Sequence, residues 1–453
     1  MDDNKIGDDG LTQTLAGIVG AQQVDASAEA LAAHRVDGLT PRAVVSPRSP
    51  SELAQVVGWA TKQGLALTPW GGGTKQGIGR PVSKLDLVVK TGGVGAIREV
   101  DEGNLTAEVE GGLTIGALQA HLAAKRLFFP LDPVEGPAAT IGGIIASNAS
   151  GPWRLLYRTA RDQVLGMQVV LPSGEVLHTG GKTVKDVAGY NLTKPLIGSW
   201  GTLGIIIQAT IRLLPMAEAT AALVTRFADV EAAAGFAMAV RGSYLLPLAM
   251  ELVSDSAWQA AAAGSFAGTG PGEAWLLFAL AGHREPVARM LGDLQTMAGK
   301  AGALEASGHE AEDAPAVWQR RRQVSAAVLA GAPAGLRLKV SVPMAGLGRT
   351  LAATGEVASR QGLGVAYAAH AGNGVGQVFL LPGESTPQEA LVAAVARLRE
   401  LAAAQGGFLV VEVAPAWLKQ QIDPLPARDD YAIMAAIRQS LSPANSLNPG
   451  KLA

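Results

Sequence analysis

The sequence predicts an α+β protein in two parts, a region of many short strands followed by a region that builds one antiparallel sheet. Three observations carry that reading. Up to about Pro215, short apolar runs alternate with capped amphipathic helices. Glycine-rich loops interrupt the same region at Pro69-Trp70-Gly71-Gly72-Gly73-Thr74, at Thr140-Ile141-Gly142-Gly143 with Asn148-Ala149-Ser150-Gly151, and at Gly198-Ser199-Trp200-Gly201-Thr202-Leu203-Gly204. Beyond Pro215 these loops cease, and strand and helix signals follow one another in a different rhythm.

Residues 1–35 read as a polar tail with a short alanine-rich helix. Ser49-Pro50-Ser51-Glu52 is a capping box with proline at the first helical position, and Leu53, Val56, Val57 and Ala60 continue at helical spacing to Gly64. Leu65 to Thr68 is then a strand leading into the first glycine loop. Leu87-Val88-Val89 and Ala107 to Glu110 are short strands. Thr114 opens a helix carrying Ile115, Leu118 and Leu122, which ends at Lys125-Arg126 before the strand Leu127 to Phe129. In the second part Ala222 to Phe227, Ala249 to Val253, Trp275 to Phe278, Leu336 to Val342 and Phe408 to Val413 read as strands. Asp229 caps a helix to Arg241, and further helices fall near 285–299, 345–361 and 387–405. Two β-α-β repeats in one antiparallel sheet, a ferredoxin-like arrangement, account for this order. Tyr431, Met434, Ile437 and Leu441 form a last helical stripe, and Asn448-Pro449-Gly450 follows as a turn whose polar character fits docking rather than fraying. The expected division is 1–35, 36–217, 218–420 and 421–453, the last returning to the first domain.

Composition narrows the function. The chain has 453 residues, 48% of them hydrophobic, and a net charge of −2, so it carries no electrostatic footprint for nucleic acid. It has no cysteine, which removes disulfides, thiolate metal sites and Fe–S ligation together, so a one-electron relay belongs on another chain. The polar, acidic start and the absence of an apolar run of about 20 residues lead to the expectation of a cytoplasmic protein, peripheral to a membrane only through partners.

Glycine loops suit a nucleotide cofactor because backbone without Cβ atoms can approach a diphosphate and offer its amides. Taken singly each is more simply a tight turn; their joint order favours a cofactor held along its length. The dinucleotide fingerprint fails at Gln76, where its third glycine is required, and the P-loop pattern around Gly180-Gly181-Lys182-Thr183 fails at Val176. A hairpin turn after Val176-Leu177-His178 explains the latter.

From about Pro41 to Ala453 the residues resemble the FAD-binding oxidoreductases of the vanillyl-alcohol oxidase/PCMH type. The resemblance rests on Lys185 to Thr193 running into Gly198 to Ile206, on Arg161-Asp162-Gln163-Val164-Leu165-Gly166, and on Asn448-Pro449-Gly450-Lys451-Leu452. It implies a two-subdomain FAD-binding domain with a ferredoxin-like cap. It assigns Pro69, Trp70, Gly71, Gly72, Gly73 and Thr74 to the FAD diphosphate, and Asp132, Pro133, Thr140, Ile141, Gly142, Gly143, Ser147, Asn148, Gly151 and Tyr157 to phosphate and flavin-side contacts. Gly201, Thr202, Gly204, Ile205, Ile206 and Asn448 fall to the flavin and adenosine side. Tyr157-Arg158 departs from the family's usual Tyr-Gly.

Within that family the likeness is to the glycolate oxidase and D-lactate dehydrogenase group. Its His-x-Gly-Asp-Gly-Asn-x-His segment and its Glu-His pair, which hold a divalent metal and supply the base, read here as His370 to Gln377 and as Glu412-Val413. Valine cannot accept the hydroxyl proton of a 2-hydroxy acid. One His and one Glu also fall short of an ordinary metal site, so no tight metal is expected. Trp318-Gln319-Arg320-Arg321 resembles the family's Trp-x-x-Arg, whose arginine binds the substrate carboxylate, and Arg337 falls where the family has a basic residue; a solvated helix face is an equal account of the first. The profile looks like the E-type FAD-binding subunit of a glycolate or D-lactate dehydrogenase complex, with a D-type flavoprotein and an Fe–S subunit as partners. A self-sufficient FAD-dependent 2-hydroxy-acid dehydrogenase and a flavin-stabilised scaffold are the alternatives. With no Cys, and no His in the first loop, FAD is expected to be noncovalent: denaturation followed by filtration should release intact FAD, and flavin absorbance left on the polypeptide would disprove this.

Overall fold

In the computed structural model, which describes residues 6–181, 191–263 and 272–452, three of the helices begin where a side-chain oxygen takes an orphan amide. Ser49, Thr114 and Asp229 accept from Glu52, Ala117 and Ala232 at 3.1, 3.2 and 2.8 Å, fixing the starts of Pro50–Lys62, Ile115–Ala123 and Val230–Arg241. Glu52 reaches back to the amide of Arg48, one residue before the cap. The chain forms two units, Met1–Ser150 with Thr159–Met216 and Arg428–Ala453, and Gly151–Arg158 with Ala217–Ala427.

The first unit contains two principal sheets. Ala43–Val45, Leu87–Lys90 and Leu67–Trp70 run parallel, with Val24–Asp25 antiparallel at one edge. Ile97–Asp101, Thr106–Glu110, Ile205–Arg212, Val164–Val170 and Val176–Gly180 form an antiparallel sheet in that order. Ile205 and Ile207 enter the core of the first sheet, whereas Ile206, Ala209 and Ile211 enter that of the second, so this one strand contributes to both. The N-terminal region differs from the expected polar tail. Asp8–Val19 is a helix whose Leu11, Leu15 and Val19, at spacing i, i+4, i+8, are buried against Leu53, Val57 and neighbours. Thr12, Gln13 and Thr14 between the first two positions and the acidic residues before Leu11 mask the stripe in the sequence.

The C-terminal segment also belongs to this unit. Leu447 forms a parallel bridge with Leu67, whose amide donates to Ser446 O at 2.7 Å while Asn448 N donates to Leu67 O at 2.9 Å. Lys451 Nζ lies 2.7 Å from Asp37 Oδ2 and donates to Gln76 O at 2.5 Å.

The second unit is an eight-stranded antiparallel sheet. Its first four strands, Ala219–Phe227, Ala249–Ser254, Ala274–Gly282 and Glu305–Glu310, lie in the order fourth, first, third, second. The next four, Leu336–Ser341, Gly364–His370, Val375–Leu381 and Phe408–Val413, mirror this as second, third, first, fourth, and the two halves meet through their second strands. Each half follows a β-α-β-β-α-β order, the first with an added helix, Asp255–Ala263, between its second and third strands and with Phe227, Phe236 and Phe278 packed together. Sequence periodicity misses Glu305–Glu310, a polar edge strand, the alanine-rich Gly364–His370, and its hairpin partner Val375–Leu381. It also misses Asp313–Gly331, a helix that presents arginines and alanines together. Substituting Leu447, fully buried, by Ala is expected to destabilise the first unit by about 2–5 kcal/mol; an unchanged urea midpoint would show that the C-terminal segment adds nothing to the fold.

Candidate active site

The glycine loop Gly71–Thr74 is set by its contact with the segment before the helix Ile141–Ser147. A Cβ on Gly71 would strike Thr140 Oγ1, and one on Gly72 would strike Ala138 O. Gly73 has φ +69°, the left-handed region that favours glycine. Trp70 turns its indole toward His34, 4.8 Å between ring centroids, and Pro69 O accepts from Gln76 Nε2 at 3.0 Å. Among the described residues the amides of Gly72, Gly73 and Thr74 donate to no protein acceptor. Successive unspent amides on an exposed loop form an anion-binding concavity.

The second loop is built differently. Ile141 N donates to Leu113 O and Gly142 N to Gly111 O at 2.8 and 2.7 Å, while Gly143 N donates to Thr140 Oγ1 at 3.3 Å. These amides are therefore already used. Gly142 is required for packing: a Cβ there would lie 3.0 Å from Gly111 O and 3.1 Å from Ile206 O. Ile141 is fully buried, Ser147 Oγ donates to Gly143 O, and Asn148 closes the helix at φ +47°. Asp132 is buried, and Pro133 O accepts from Gly136 N at 3.1 Å.

In the third loop Thr202 Oγ1 donates to Ser199 O at 2.7 Å, and Gly204 packs on Val169. Ile205 and Ile206 direct their side chains into the protein cores, so only their backbone is left to face a ring. Gly201, at φ +68°, carries its missing Cβ position 3.3 Å from Asn448 Nδ2 and 3.4 Å from Pro69 Cγ. Asn448 Nδ2 donates to Trp200 O at 2.8 Å, whereas its Oδ1 is buried without a partner. That orphaned acceptor and the three unspent amides of the first loop fit a cofactor with a phosphate and hydrogen-bond donors. Lys185 to Tyr190, part of the resemblance, and the turn expected after His178 beyond Gly181 lie outside the described residues.

Gly151 and Tyr157 belong to the short segment that groups with the second unit. Tyr157 meets Trp153 edge-on at 6.4 Å, and burial pushes its hydroxyl pKa up.

The substrate-side candidates share one face of the second unit's sheet. Glu251, in the strand Ala249–Ser254, is wholly buried and pairs across to His370. Its Oε1 lies 2.6 Å from His370 Nδ1, and its Oε2 accepts from Arg321 Nε and Nη2 at 2.9 and 2.5 Å. Arg321 is itself buried. Arg337 Nε is 3.1 Å from Glu412 Oε2, and Nη1 donates to Ser325 Oγ at 3.3 Å. Both candidate guanidinium groups, Arg321 and Arg337, are thus held by carboxylates of the chain. Gln377 Oε1 and Asn373 Oδ1 are buried with no partner among the described residues. No three His, Asp or Glu side chains among those residues come together as a metal site. Sequence reasoning missed Glu251; the signal is a carboxylate inside the otherwise apolar run Ala249-Met250-Glu251-Leu252-Val253.

Comparison with known proteins agrees with the architecture. A profile described as "FAD binding domain" matches residues 41–180, and one described as "FAD linked oxidases, C-terminal domain" matches 216–452. The chain is a member of the FAD-linked oxidase family, an FAD-binding oxidoreductase. It is similar to the glycolate oxidase subunit GlcD of Bacillus subtilis, 29% identical over 424 residues, covering 91% of this chain and 89% of that protein. It is also similar to a D-lactate dehydrogenase of Archaeoglobus fulgidus, 28% identical, with 90% of each covered. Among solved structures, p-cresol methylhydroxylase shares the fold with a TM-score of 0.79 at 16% identity, over 99% of this chain and 98% of that one. Within the described residues no helix is long and apolar enough to cross a membrane.

Removing one partner of a buried ion pair strands the other charge, at a cost of about 3–5 kcal/mol. Glu251→Ala is therefore expected to lower the unfolding free energy of the second unit by that order, and a loss below about 1 kcal/mol would show the Arg321 contact to be energetically idle.

Proposed function

We propose that this chain is the FAD-binding subunit of a 2-hydroxy-acid dehydrogenase complex, glycolate or D-lactate being the substrate class, and that it passes electrons from flavin to partner subunits. Oxidising such an acid removes a hydride from C2 and a proton from the hydroxyl; bound FAD supplies the two-electron acceptor. The amides of Gly72 to Thr74 and Asn448 would hold the cofactor. The observation that carries the subunit reading is the internal pairing of Arg321 with Glu251 and of Arg337 with Glu412. A substrate carboxylate would have to displace a buried carboxylate to reach either guanidinium, which costs desolvation on both sides. Val413, where the family has its base, and the cysteine-free sequence support the same division of labour with a D-type flavoprotein and an Fe–S subunit. The GlcD relative is itself named as a subunit.

One observation favours a self-sufficient dehydrogenase. Glu251 engages only Nδ1 of His370, which leaves Nε2 of an oriented imidazole for proton transfer. A flavin that only stabilises a scaffold has no comparable support. Stopped-flow mixing of the isolated, FAD-loaded chain with glycolate or D-lactate distinguishes the readings. The subunit reading expects flavin bleaching on a catalytic timescale only in the assembled complex. Fast bleaching of the chain alone establishes the self-sufficient reading in its place.

A further inference from the structure

Lys75 directly follows the glycine loop, and its ammonium lies 2.9 Å from Oε1 of Glu135. The Glu135 side chain is 7% exposed and that of Lys75 25%. Glu135 belongs to the same connection as Ala138, whose carbonyl a Cβ at Gly72 would strike. The pair therefore spans the two segments beside the amides of Gly72, Gly73 and Thr74 that donate to no protein group among the described residues. Another lysine near the loop, Lys451, is committed otherwise: its ammonium is held by Asp37 and the carbonyl of Gln76.

A nearly buried carboxylate next to a site for a dianion is unfavourable unless a cation offsets it. Loop amides alone supply partial charges, whereas an ammonium supplies a full, compact one. We infer that Lys75 is the cation of the FAD diphosphate site, held at the loop by Glu135, and that Glu135 in turn moderates how tightly the cofactor is kept. The inference rests on the reading that the loop Gly71–Thr74 binds the diphosphate. It adds a charged residue, and a carboxylate that opposes it, to a cradle otherwise made of backbone.

Lys75→Met and Glu135→Gln are compared with the parent by titrating FAD-free protein with FAD, following flavin fluorescence at low and high salt. Circular dichroism reports folding of the FAD-free forms. Loss of a charged contact predicts an FAD dissociation constant for Lys75→Met raised about tenfold or more, with a weaker salt dependence. Glu135→Gln releases the ammonium to the diphosphate and is expected to bind FAD at least as tightly as the parent, with a steeper salt dependence. Parental affinity and salt dependence in Lys75→Met overturns the inference. So does weaker FAD binding by Glu135→Gln, which decides the matter if Lys75→Met does not fold. Gly72→Val separates the two levels: if it folds and keeps FAD, the loop reading itself is wrong, whereas if it loses FAD while Lys75→Met does not, only the role of Lys75 falls.

Discussion

The first unit depends on close approaches at its glycines, where a Cβ would crowd another segment of the chain. Gly71 and Gly72 lie against Thr140 and Ala138, Gly142 lies against Gly111 and Ile206, and Gly201 lies against Pro69 and Asn448. These contacts join five segments distant in sequence: 69–72, Gly111, 138–142, 201–206 and Asn448. They also separate two roles that a glycine-rich loop can play. Where the amide is already used, as at Gly142, glycine serves close packing against neighbouring backbone. Where it is unspent, as at Gly72 and Gly73, the loop can bind an anion.

Much of the fold was legible because its signals are local. Side-chain caps at Ser49, Thr114 and Asp229 mark three helix starts, and strand-length apolar runs mark Leu87–Lys90 and Ala249–Ser254. Elements whose burial is decided by distant partners were not legible in the same way. Leu11, Leu15 and Val19 follow an acidic start and a Thr12-Gln13-Thr14 run, and their burial shows only when Leu53 and Val57 cover them. The strand Glu305–Glu310 has no apolar rhythm because it sits at a sheet edge, and only its pairing with Ala219–Phe227 makes it a strand.

The candidate site was legible to the same degree. Loop positions could be read from glycine and proline, since these residues have few other reasons to cluster. Which groups within a loop are free to bind a ligand depends on hydrogen bonds across the fold, such as Gly142 to Gly111 and Asn448 to Trp200. Glu251 is the clearest case. A single acidic residue in an apolar strand is visible in the sequence, but its partners come from 70 and 119 residues away.

That difference bears on how the two units divide the chemistry. An arginine in a substrate-binding motif is normally taken as a receptor for the substrate carboxylate, but charge recognition requires the guanidinium to be available. Arg321 has two donors on one buried oxygen of Glu251, and Arg337 is shared between Glu412 and Ser325. Both carboxylates are fixed in the sheet, so their entropy of ordering is already met by the fold, whereas a free acid would lose its own on binding. Internal carboxylates therefore compete on favourable terms with any substrate that offers the same group. The first unit presents the opposite situation, since the amides of Gly72 to Thr74 and the Asn448 carbonyl have no internal competitor among the described residues. The open amides of the first unit and the closed arginines of the second thus follow from the same physical rule, that a buried polar group needs a partner and is unavailable once it has one.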